Sequence, residues 1–314
     1  DMKLRKIGIL TLNGYFNYGN RLQNYALQET LRTMGFEVET VINEDLFNRG
    51  RKFTFYERMS NLMKKSPVDI FNRFSYKMWT IRNREEIIKS EEIRTNIFKK
   101  FTLNYIKETN FTISDDTILE EIMDDYDFFV TGSDQVWNPS YNYGSSVFFL
   151  NFAPKHKRIA YAPSFGVSEI KEEYKGNYKK WISNMHRLSV REDDGAKIIK
   201  ELTGRDAKVL VDPTLLLTRE KWLSISKQAS NKPKGKYLLT YFLGGVPDIH
   251  KKQINNIANN NELEVVNLGD IKEKETYRTG PSEFLDYINS CSIFCTDSFH
   301  GAVFSILFEK PFIA

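Results

Sequence analysis

The chain has 314 residues, of which 41% are hydrophobic and 27% charged, and this composition is typical of a globular protein of one or two domains. Its sequence contains no run of about 18 apolar residues, which excludes a transmembrane helix. The amino end lacks the pattern of a signal peptide, so we expect a cytoplasmic protein. The two cysteines, Cys291 and Cys295, have no second pair and no suitably spaced histidine, so we expect buried thiols and no metal site.

The net charge of +4 conceals a basic stretch between residues 46 and 110. This stretch holds fifteen lysines and arginines against seven acids, a local charge of +8. It is rich in aromatic residues and poor in strand patterns, so we predict a basic helical insertion. We leave open whether it is a solvated helical surface or a surface for an anionic membrane or a lipid-phosphate-linked substrate. No recognition motif accompanies the charge, so no nucleic-acid partner is expected.

The first elements in chain order predict a βαβ unit. Residues 6–12 and 36–42 are apolar runs typical of buried strands, and residues 21–34 between them have the apolar spacing of an amphipathic helix that ends at Gly35. Right-handed parallel connectivity is the default for such a unit. The sequence therefore predicts a parallel α/β sheet at the start of the first domain.

The loop before the first helix, residues 13–20, has two readings. It ends in Asn20, a suitable N-cap, and Arg21 follows in the predicted first turn. Gly14 and Gly19 form neither a dinucleotide fingerprint nor a P-loop, so the signal for a nucleotide is weak. The loop is either part of an anion site above a helix start or a purely structural turn.

Four more apolar runs follow the basic stretch, at residues 126–130, 158–162, 187–190 and 208–211. Each gives way to polar residues at its carboxyl end. Ligands of open parallel sheets bind at that end of the strands. These runs therefore predict one wall of a cleft in the first domain.

The second half repeats the alternation. A lysine-rich segment at residues 218–236 is the best candidate linker, so we place the domains at residues 1–220 and 221–314. Strands at 237–243 and 264–268 alternate with helices at 247–260 and 281–289. The last residues resemble the start of one more strand, so we expect a truncated second domain.

A strand, a polar turn and a helix close the sequence. The apolar run at residues 293–295 gives way to Thr296-Asp297-Ser298, and helical spacing begins at Phe299. His300 and Gly301 then lie in the first turn of this helix, where free N–H groups favour an anion or a reacting group. We predict a catalytic turn here, with a capping or packing histidine as the alternative.

Six polar segments at strand ends carry a family resemblance. They are Asn17–Gln23, Gly132–Trp137, Ala162–Gly166, Ser189–Glu192, Asp212–Thr214 and Asp297–Gly301. In this order they resemble the polysaccharide pyruvyl transferase family. The resemblance implies two Rossmann-like doubly wound domains facing across a cleft, in a glycosyltransferase-B-like arrangement. It also implies transfer of a pyruvyl group from phosphoenolpyruvate to hydroxyls of a saccharide, as a ketal, in surface polysaccharide biosynthesis.

The resemblance makes Arg191 and His300 the core of a phosphoenolpyruvate pocket. An arginine can clamp the carboxylate or phosphate of this trianion, and His300 is the natural general acid for its methylene carbon. Helix start and bound phosphate act oppositely on the histidine pKa, which leaves it near neutrality. The expected donor-binding residues are Arg191, Ser298, His300, Gly301, Asn20 and Arg21.

The acceptor side is less sharply marked. Asp134 and Gln135 are expected to orient or deprotonate an acceptor hydroxyl, and Ser164 and Phe165 to line the same side. For both pairs the alternative is a structural turn, and Asp212–Thr214 is read as mainly structural. No metal or redox cofactor is implied for the transfer itself.

Two other functions remain open at this point. One is a nucleotide-sugar-dependent glycosyltransferase of the same two-domain architecture, and the other is a non-catalytic saccharide-binding protein. The expected partners are a saccharide or lipid-linked saccharide, with residues 46–110 as a candidate contact with the inner face of the membrane.

Overall fold

The computed structural model describes residues 4–43, 67–114, 123–142, 145–243 and 245–314, and of residues 67–74, 141 and 142 it describes the backbone alone. The first half is built on a five-stranded parallel sheet in the order β3-β2-β1-β4-β5. Its strands are β1 (Lys6–Leu10), β2 (Glu37–Asn43), β3 (Glu108–Ile113), β4 (Phe128–Thr131) and β5 (Arg158–Ala160). The central strand β1 is apolar and almost wholly buried, as expected for a sheet covered on both faces.

The basic stretch contains two described helices, as predicted. It also contains one strand that the sequence pattern does not predict. The helices are α2 (Pro67–Arg82) and α3 (Arg84–Tyr105). The strand is β3, which pairs with β2 at the sheet edge. The burial of β3 is mixed, and it contains β-branched threonines rather than a continuous apolar run. Such residues are suited to an edge strand, so β3 forms there although its sequence pattern is weak. The described insertion therefore ends before residue 108.

Two short strands extend the first half beyond β5. Strands β6 (Ser189–Val190) and β7 (Lys208–Val209) form their own parallel pair, and an isolated bridge from Ile159 to Arg187 attaches this pair to β5. The remaining helices of this half are α1 (Tyr18–Thr33), the short α4 (Pro139–Asn142), α5 (Glu172–Ser183) and α6 (Asp193–Thr203), with 3-10 turns at Val147–Phe149, Lys155–Lys157 and Pro213–Leu216. The carboxyl ends of β4, β6 and β7 lead into the polar segments singled out above.

The second half forms a four-stranded parallel sheet in the order β11-β10-β8-β9. Its strands are β8 (Tyr237–Tyr241), β9 (Glu264–Leu268), β10 (Ile293–Thr296) and β11 (Phe312–Ile313). The helices are α7 (Arg219–Ile225), α8 (Asp248–Asn260), α9 (Lys274–Tyr277), α10 (Pro281–Ser290) and α11 (Phe299–Leu307). Two parallel α/β units confirm the predicted fold class. The boundary at residue 220 falls within α7 and stays a prediction.

Helix α1 joins the two units because it packs in both directions. Leu27 lies in the apolar cluster on the first sheet, whereas Tyr18 and Leu22 belong to the core of the second half. The ring of Tyr18 stacks on Phe284 of α10, with centroids 4.1 Å apart. The amino end of α1 is therefore held at the junction of the two units.

The insertion helix α3 also reaches the junction, through the buried guanidinium of Arg94. Its Nη atoms donate to the Phe16 carbonyl, the Tyr18 hydroxyl and the Tyr277 carbonyl. Arg94 is thus bonded to the loop before α1, to α1 itself and to the second half. Part of the basic charge is structural and does not face solvent.

In the described parts of the chain, no helix has both the length and the apolar character required to cross a bilayer. The contact of residues 46–110 with an anionic membrane stays a prediction, because residues 46–66 lie outside the described residues. Both cysteines are free and buried, as expected, and burial raises the pKa of Cys291 to about 12.

Candidate functional site

A cavity of about 420 Å³ lies between the strand ends of the first half and the amino end of α11. This volume is within the range of about 300–1,000 Å³ that small-molecule sites occupy. Six of the residues predicted from the sequence line it: Asn20, Asp134, Gln135, Arg191, Ser298 and His300. The structure therefore brings together residues that are separated by up to 280 positions in the chain.

His300 is positioned by the cap of its helix. Ser298 is the N-cap of α11, and its hydroxyl accepts a hydrogen bond of 3.2 Å from the Gly301 amide. This arrangement directs His300 toward the first half, where its Nε2 lies 3.2 Å from Oδ2 of Asp212. Its other face packs on Gly19 of α1 so closely that a Cβ there would lie 2.2 Å from Nδ1. The ring is therefore buried and held from both sides.

Asp212 is the centre of a hydrogen-bond network. Its Oδ2 accepts from Arg191 Nη1 at 3.1 Å as well as facing His300, and the Ser133 hydroxyl lies 3.3 Å away. Its Oδ1 accepts from the amide and hydroxyl of Thr214, at 3.1 and 2.7 Å. The carboxylate has no exposed surface, so both oxygens are satisfied within the protein.

The charges of this network fix the protonation of its members. Burial alone would raise the pKa of Asp212, but His300, Arg191 and Thr214 outweigh it and hold that pKa well below its ordinary range. Burial alone would lower the pKa of His300, but the charge and hydrogen bond of Asp212, with the charge of Asp134, raise it above its ordinary value. An imidazolium beside a carboxylate is therefore the favoured state of the pair.

Arg191 lies at the end of β6, directly before α6. Its guanidinium carbon is 4.1 Å from the ring centroid of Phe299, and its nitrogens approach Asp134 Oδ1 and Glu192 Oε2 at 4.0 Å. Stacking on an aromatic ring fixes the plane of the arginine guanidinium. A lysine ammonium has no plane that could be fixed in this way. The cavity therefore has an oriented cation beside His300.

Asn20 is in the cavity wall, but it is not the N-cap that the sequence suggests. Helix α1 begins at Tyr18, and Asn17 is its N-cap, because the Asn17 side chain accepts from the Asn20 amide at 3.1 Å. The helix thus begins three residues earlier than predicted. The amino ends of α1 and α11 both border the cavity as a result.

Asp134 and Gln135 also line the cavity, close to Arg191. Asp134 has φ +64°, a left-handed conformation that aspartate tolerates better than most residues, and its Oδ1 accepts from the Gln135 amide at 2.8 Å. The Gln135 side-chain oxygen accepts from Asn138 at 2.7 Å. The segment is therefore a hydrogen-bonded turn, which was the structural alternative to an acceptor role, and it also faces the cavity.

Four predicted site residues do not line the cavity. Arg21 is fully buried, and its guanidinium donates to Glu108 and to the Leu12 carbonyl. The guanidinium therefore serves as a structural cation. Gly301 lies below the cap, where Thr296 leaves no room for a Cβ. The donor-binding assignment of these two residues is not supported.

Ser164 and Phe165 form a packed turn. The Ser164 hydroxyl accepts from the Gly166 amide at 3.1 Å, and the Phe165 ring is buried against Trp137. The Phe165 amide donates to Glu192, which supports the segment beside Arg191. Their expected acceptor role gives way to the structural alternative.

The sequence analysis underrates Asp212 and omits an apolar rim. The position of Asp212 after a strand and within a family-like segment is a signal that it faces the same edge, but its partners come from β6 and α11 and only the fold shows them. The rim residues are Phe16, Leu243 and Phe299, which are 62%, 59% and 45% exposed. No pattern in the sequence distinguishes these three from core residues.

No described group of three or more histidine, cysteine, aspartate or glutamate side chains is arranged to hold a metal ion. The family model for polysaccharide pyruvyl transferase matches residues 17–314. The chain belongs to the polysaccharide pyruvyl transferase family. This match begins after β1 and includes the other strands of both sheets and every residue of the cavity wall named above after Phe16. No curated protein shows a detectable sequence match.

Solved structures with a similar backbone fold include two that are described as UDP-N-acetylglucosamine 2-epimerases. A protein from Listeria monocytogenes, described as a UDP-N-acetylglucosamine 2-epimerase, is 10% identical with a TM-score of 0.48, over 96% of this chain and 76% of its own. The UDP-GlcNAc 2-epimerase of Methanocaldococcus jannaschii is 11% identical with a TM-score of 0.43, over 99% and 83%. The ADP-heptose LPS heptosyltransferase II of E. coli is 12% identical with a TM-score of 0.38, over 98% and 83%.

Proposed function

We propose that this member of the family transfers a pyruvyl group from phosphoenolpyruvate to hydroxyls of a saccharide, forming a ketal in surface polysaccharide biosynthesis. The observation that carries the proposal is the pairing of Arg191 and His300 around the buried Asp212 in one cavity. It supplies both an anion clamp and an acid, which are the two functions that an enol phosphate requires.

Arg191, His300 and two helix starts supply positive charge for an anionic donor substrate, beside the carboxylates of Asp134 and Asp297 in the cavity wall. Asp212 is wholly buried behind Arg191 and His300, so its charge is already offset by these two cations. The amino ends of α1 and α11 each add roughly half a positive charge at the cavity. In the proposal, Arg191 holds the carboxylate or phosphate of phosphoenolpyruvate, and the helix ends hold its remaining oxygens.

The proposed reaction begins with a proton transfer. His300 gives its proton to the methylene carbon of phosphoenolpyruvate, which becomes a methyl group while positive charge develops at C2. An acceptor hydroxyl attacks C2 and loses its proton, and the bond from C2 to the phosphate oxygen breaks. A second hydroxyl then adds to C2 and completes the ketal. The two acceptor hydroxyls release two protons in total. One of them replaces the proton that His300 gave to the methylene carbon, and the other leaves with the phosphate.

The acceptor lies on the wall formed by Asp134 and Gln135 in this scheme. Asp134 is 4.0 Å from Arg191, close enough for its carboxylate to receive a hydroxyl proton beside the bound donor. Gln135 offers an amide group for orienting the sugar. We further propose that the saccharide is presented as a lipid-linked intermediate at the inner face of the membrane.

The test combines ligand binding with turnover. Phosphoenolpyruvate is expected to raise the melting temperature of the protein, and UDP-N-acetylglucosamine is expected to leave it unchanged. With added saccharide acceptors, phosphate release should depend on the acceptor. Arg191→Met should abolish the thermal shift, whereas Arg187→Met, at an exposed position four residues earlier, should retain it.

His300→Gln should bind phosphoenolpyruvate and release phosphate about 10²–10⁴-fold more slowly. His186→Gln, at an exposed histidine, is the matched control and should behave as wild type. Stabilisation by the nucleotide-sugar alone would overturn the proposal in favour of a glycosyltransferase. Near wild-type turnover in His300→Gln would overturn the assignment of the acid.

A further inference from the structure

A second, larger cavity of about 730 Å³ lies next to the one described above. It is formed at the carboxyl ends of β8 and β9, with α8 on one side and the insertion helices on the other. Leu243 lines both cavities, so the two meet at this residue. The two cavities are therefore adjacent.

The rim of the first cavity is apolar although its floor is charged. Phe16, Leu243 and Phe299 are exposed there, and apolar surface in contact with water is unfavourable unless a ligand covers it. Phosphoenolpyruvate is a small polar anion and makes no use of such a rim. The carbon-bound hydrogens of a sugar ring are the complementary surface, because they pack on aromatic faces.

Phe16 is also held in one orientation. Its ring packs on Gly14 so closely that a Cβ at residue 14 would lie 2.3 Å from Cε1, and its carbonyl accepts from buried Arg94 at 3.1 Å. A solvent-exposed ring with a fixed backbone and a fixed neighbour is arranged for contact with a ligand rather than for packing.

The lining of the second cavity is that of a glycan site. Tyr76 and Tyr277 provide aromatic surface, and Asn255, Asn267 and Thr240 provide neutral hydrogen-bonding groups. The charged lining consists of two lysines and three acids: Lys251, Lys272, Glu91, Asp270 and Glu273. These opposite charges nearly balance, and together with the aromatic, amide and hydroxyl groups they suit an uncharged saccharide.

We propose that the acceptor is an oligosaccharide of at least two sugar units, whose terminal sugar lies at the Phe16 rim and whose next units occupy the second cavity. The inference rests on the proposed function only in taking this saccharide as the acceptor. The binding site itself is defined by Leu243, Tyr76 and the side chains on β8, β9 and α8.

The test fills the second cavity from an exposed position. Asn255 on α8 is exposed and lines the cavity, and its neighbour Asn256 is exposed and does not. Asn255→Trp should therefore block the cavity without disturbing the core, with Asn256→Trp as the matched control. The probe is a printed array of uncharged glycans from single sugars to hexasaccharides.

Wild type and Asn256→Trp are expected to bind particular oligosaccharides. Their affinity for the terminal sugar of such an oligosaccharide, offered as a single sugar, should be at least about tenfold lower. Asn255→Trp should lose that tenfold gain and keep the thermal shift with phosphoenolpyruvate. Equal binding of single sugars and oligosaccharides, unchanged binding in Asn255→Trp, or no glycan bound would each overturn the inference. Oligosaccharide binding as expected without any use of phosphoenolpyruvate would instead overturn the proposed function and leave the glycan site standing.

Discussion

His300 Nε2 lies 3.2 Å from Asp212 Oδ2, and the two residues come from opposite halves of the molecule. Asp212 follows β7 of the first half, and His300 stands in the first turn of α11 in the second. The carboxylate is buried and also bonded to Arg191. The acid and the anion clamp of the proposed reaction are therefore linked through one side chain.

Asp212→Asn should remove the charge that keeps His300 protonated. Since the wild-type pKa of His300 is raised by this carboxylate, the variant should have a lower His300 pKa. The basic limb of the pH–rate profile should move to lower pH, which nitrogen NMR of the labelled histidine can follow independently. Breaking a buried charged network should also lower the free energy of unfolding by about 3–5 kcal/mol.

Asp206→Asn is the control for that experiment, because Asp206 is exposed and pairs only with Lys200. It should change neither the pH profile nor the free energy of unfolding by more than about 0.5 kcal/mol. An unshifted basic limb in Asp212→Asn would contradict the role given to Asp212.

The stability of the protein should fall as the pH rises through the folded pKa of His300. A group whose pKa is raised on folding stabilises the native state fully below its unfolded value of about 6.5, and this contribution is lost at higher pH. Asp212, whose pKa is depressed, behaves oppositely, and its contribution is lost only as the pH falls toward its low folded value. Urea unfolding from pH 6 to pH 9 measures the first effect.

His300→Gln should flatten this dependence above about pH 6.5, and His186→Gln should leave it as in wild type. If the two variants follow the same curve as wild type, another group is responsible for it. The same two proteins serve the turnover test, so stability and catalysis can be compared on identical material.

Gly19→Ala should impair activity although alanine favours the helix. The added Cβ would lie 2.2 Å from His300 Nδ1, so the buried imidazole must leave its position beside Asp212 and Arg191. A misplacement of about 1 Å costs roughly 10²-fold in rate, and we expect a loss of that order in phosphate release. Initial rates with and without acceptor provide the measurement.

Gly176→Ala provides the comparison, since nothing lies within 4 Å of a Cβ at this position in α5. It should raise the free energy of unfolding by about 0.5–1 kcal/mol and leave activity unchanged. Full activity in Gly19→Ala would mean that the position of the imidazole is not critical.

Arg94→Met should destabilise the junction between the two halves. It removes a cation that donates to carbonyls of Phe16 and Tyr277 and to the Tyr18 hydroxyl. We expect a loss of roughly 3 kcal/mol in the free energy of unfolding, the upper value for one hydrogen bond to a charged group. Arg84→Met, at an exposed position on the same helix, should cost less than about 0.5 kcal/mol.

The sequence predicted best where local signals set the bounds of an element. Strand β9 has the predicted bounds, and α8 and α10 differ from prediction by one residue, because apolar periodicity and Pro or Gly boundaries determine them locally. Strand β3 was missed because its edge position requires no continuous apolar run. The start of α1 was misplaced because Asn17 and Asn20 are equally good caps by residue type.

The site was predicted as a set of strand ends but not as a network. Arg191 and His300 could be named because each follows an apolar run, and the chemistry of the donor requires both types of side chain. The role of Arg21 was wrong because an arginine at a helix start looks the same whether it binds a ligand or pairs with Glu108 across 87 residues. Such long-range partners depend on the fold.

The bonds of Arg94 have a consequence for the energetics of binding. Because the insertion helix holds the loop of Phe16 and the segment of Tyr277 together within the folded chain, the relative placement of the two halves is settled during folding. Substrate then meets a preorganised cleft, and little of its interaction energy is consumed in ordering the protein. Contacts that lie outside the cavity therefore contribute to the affinity of a ligand that binds in it.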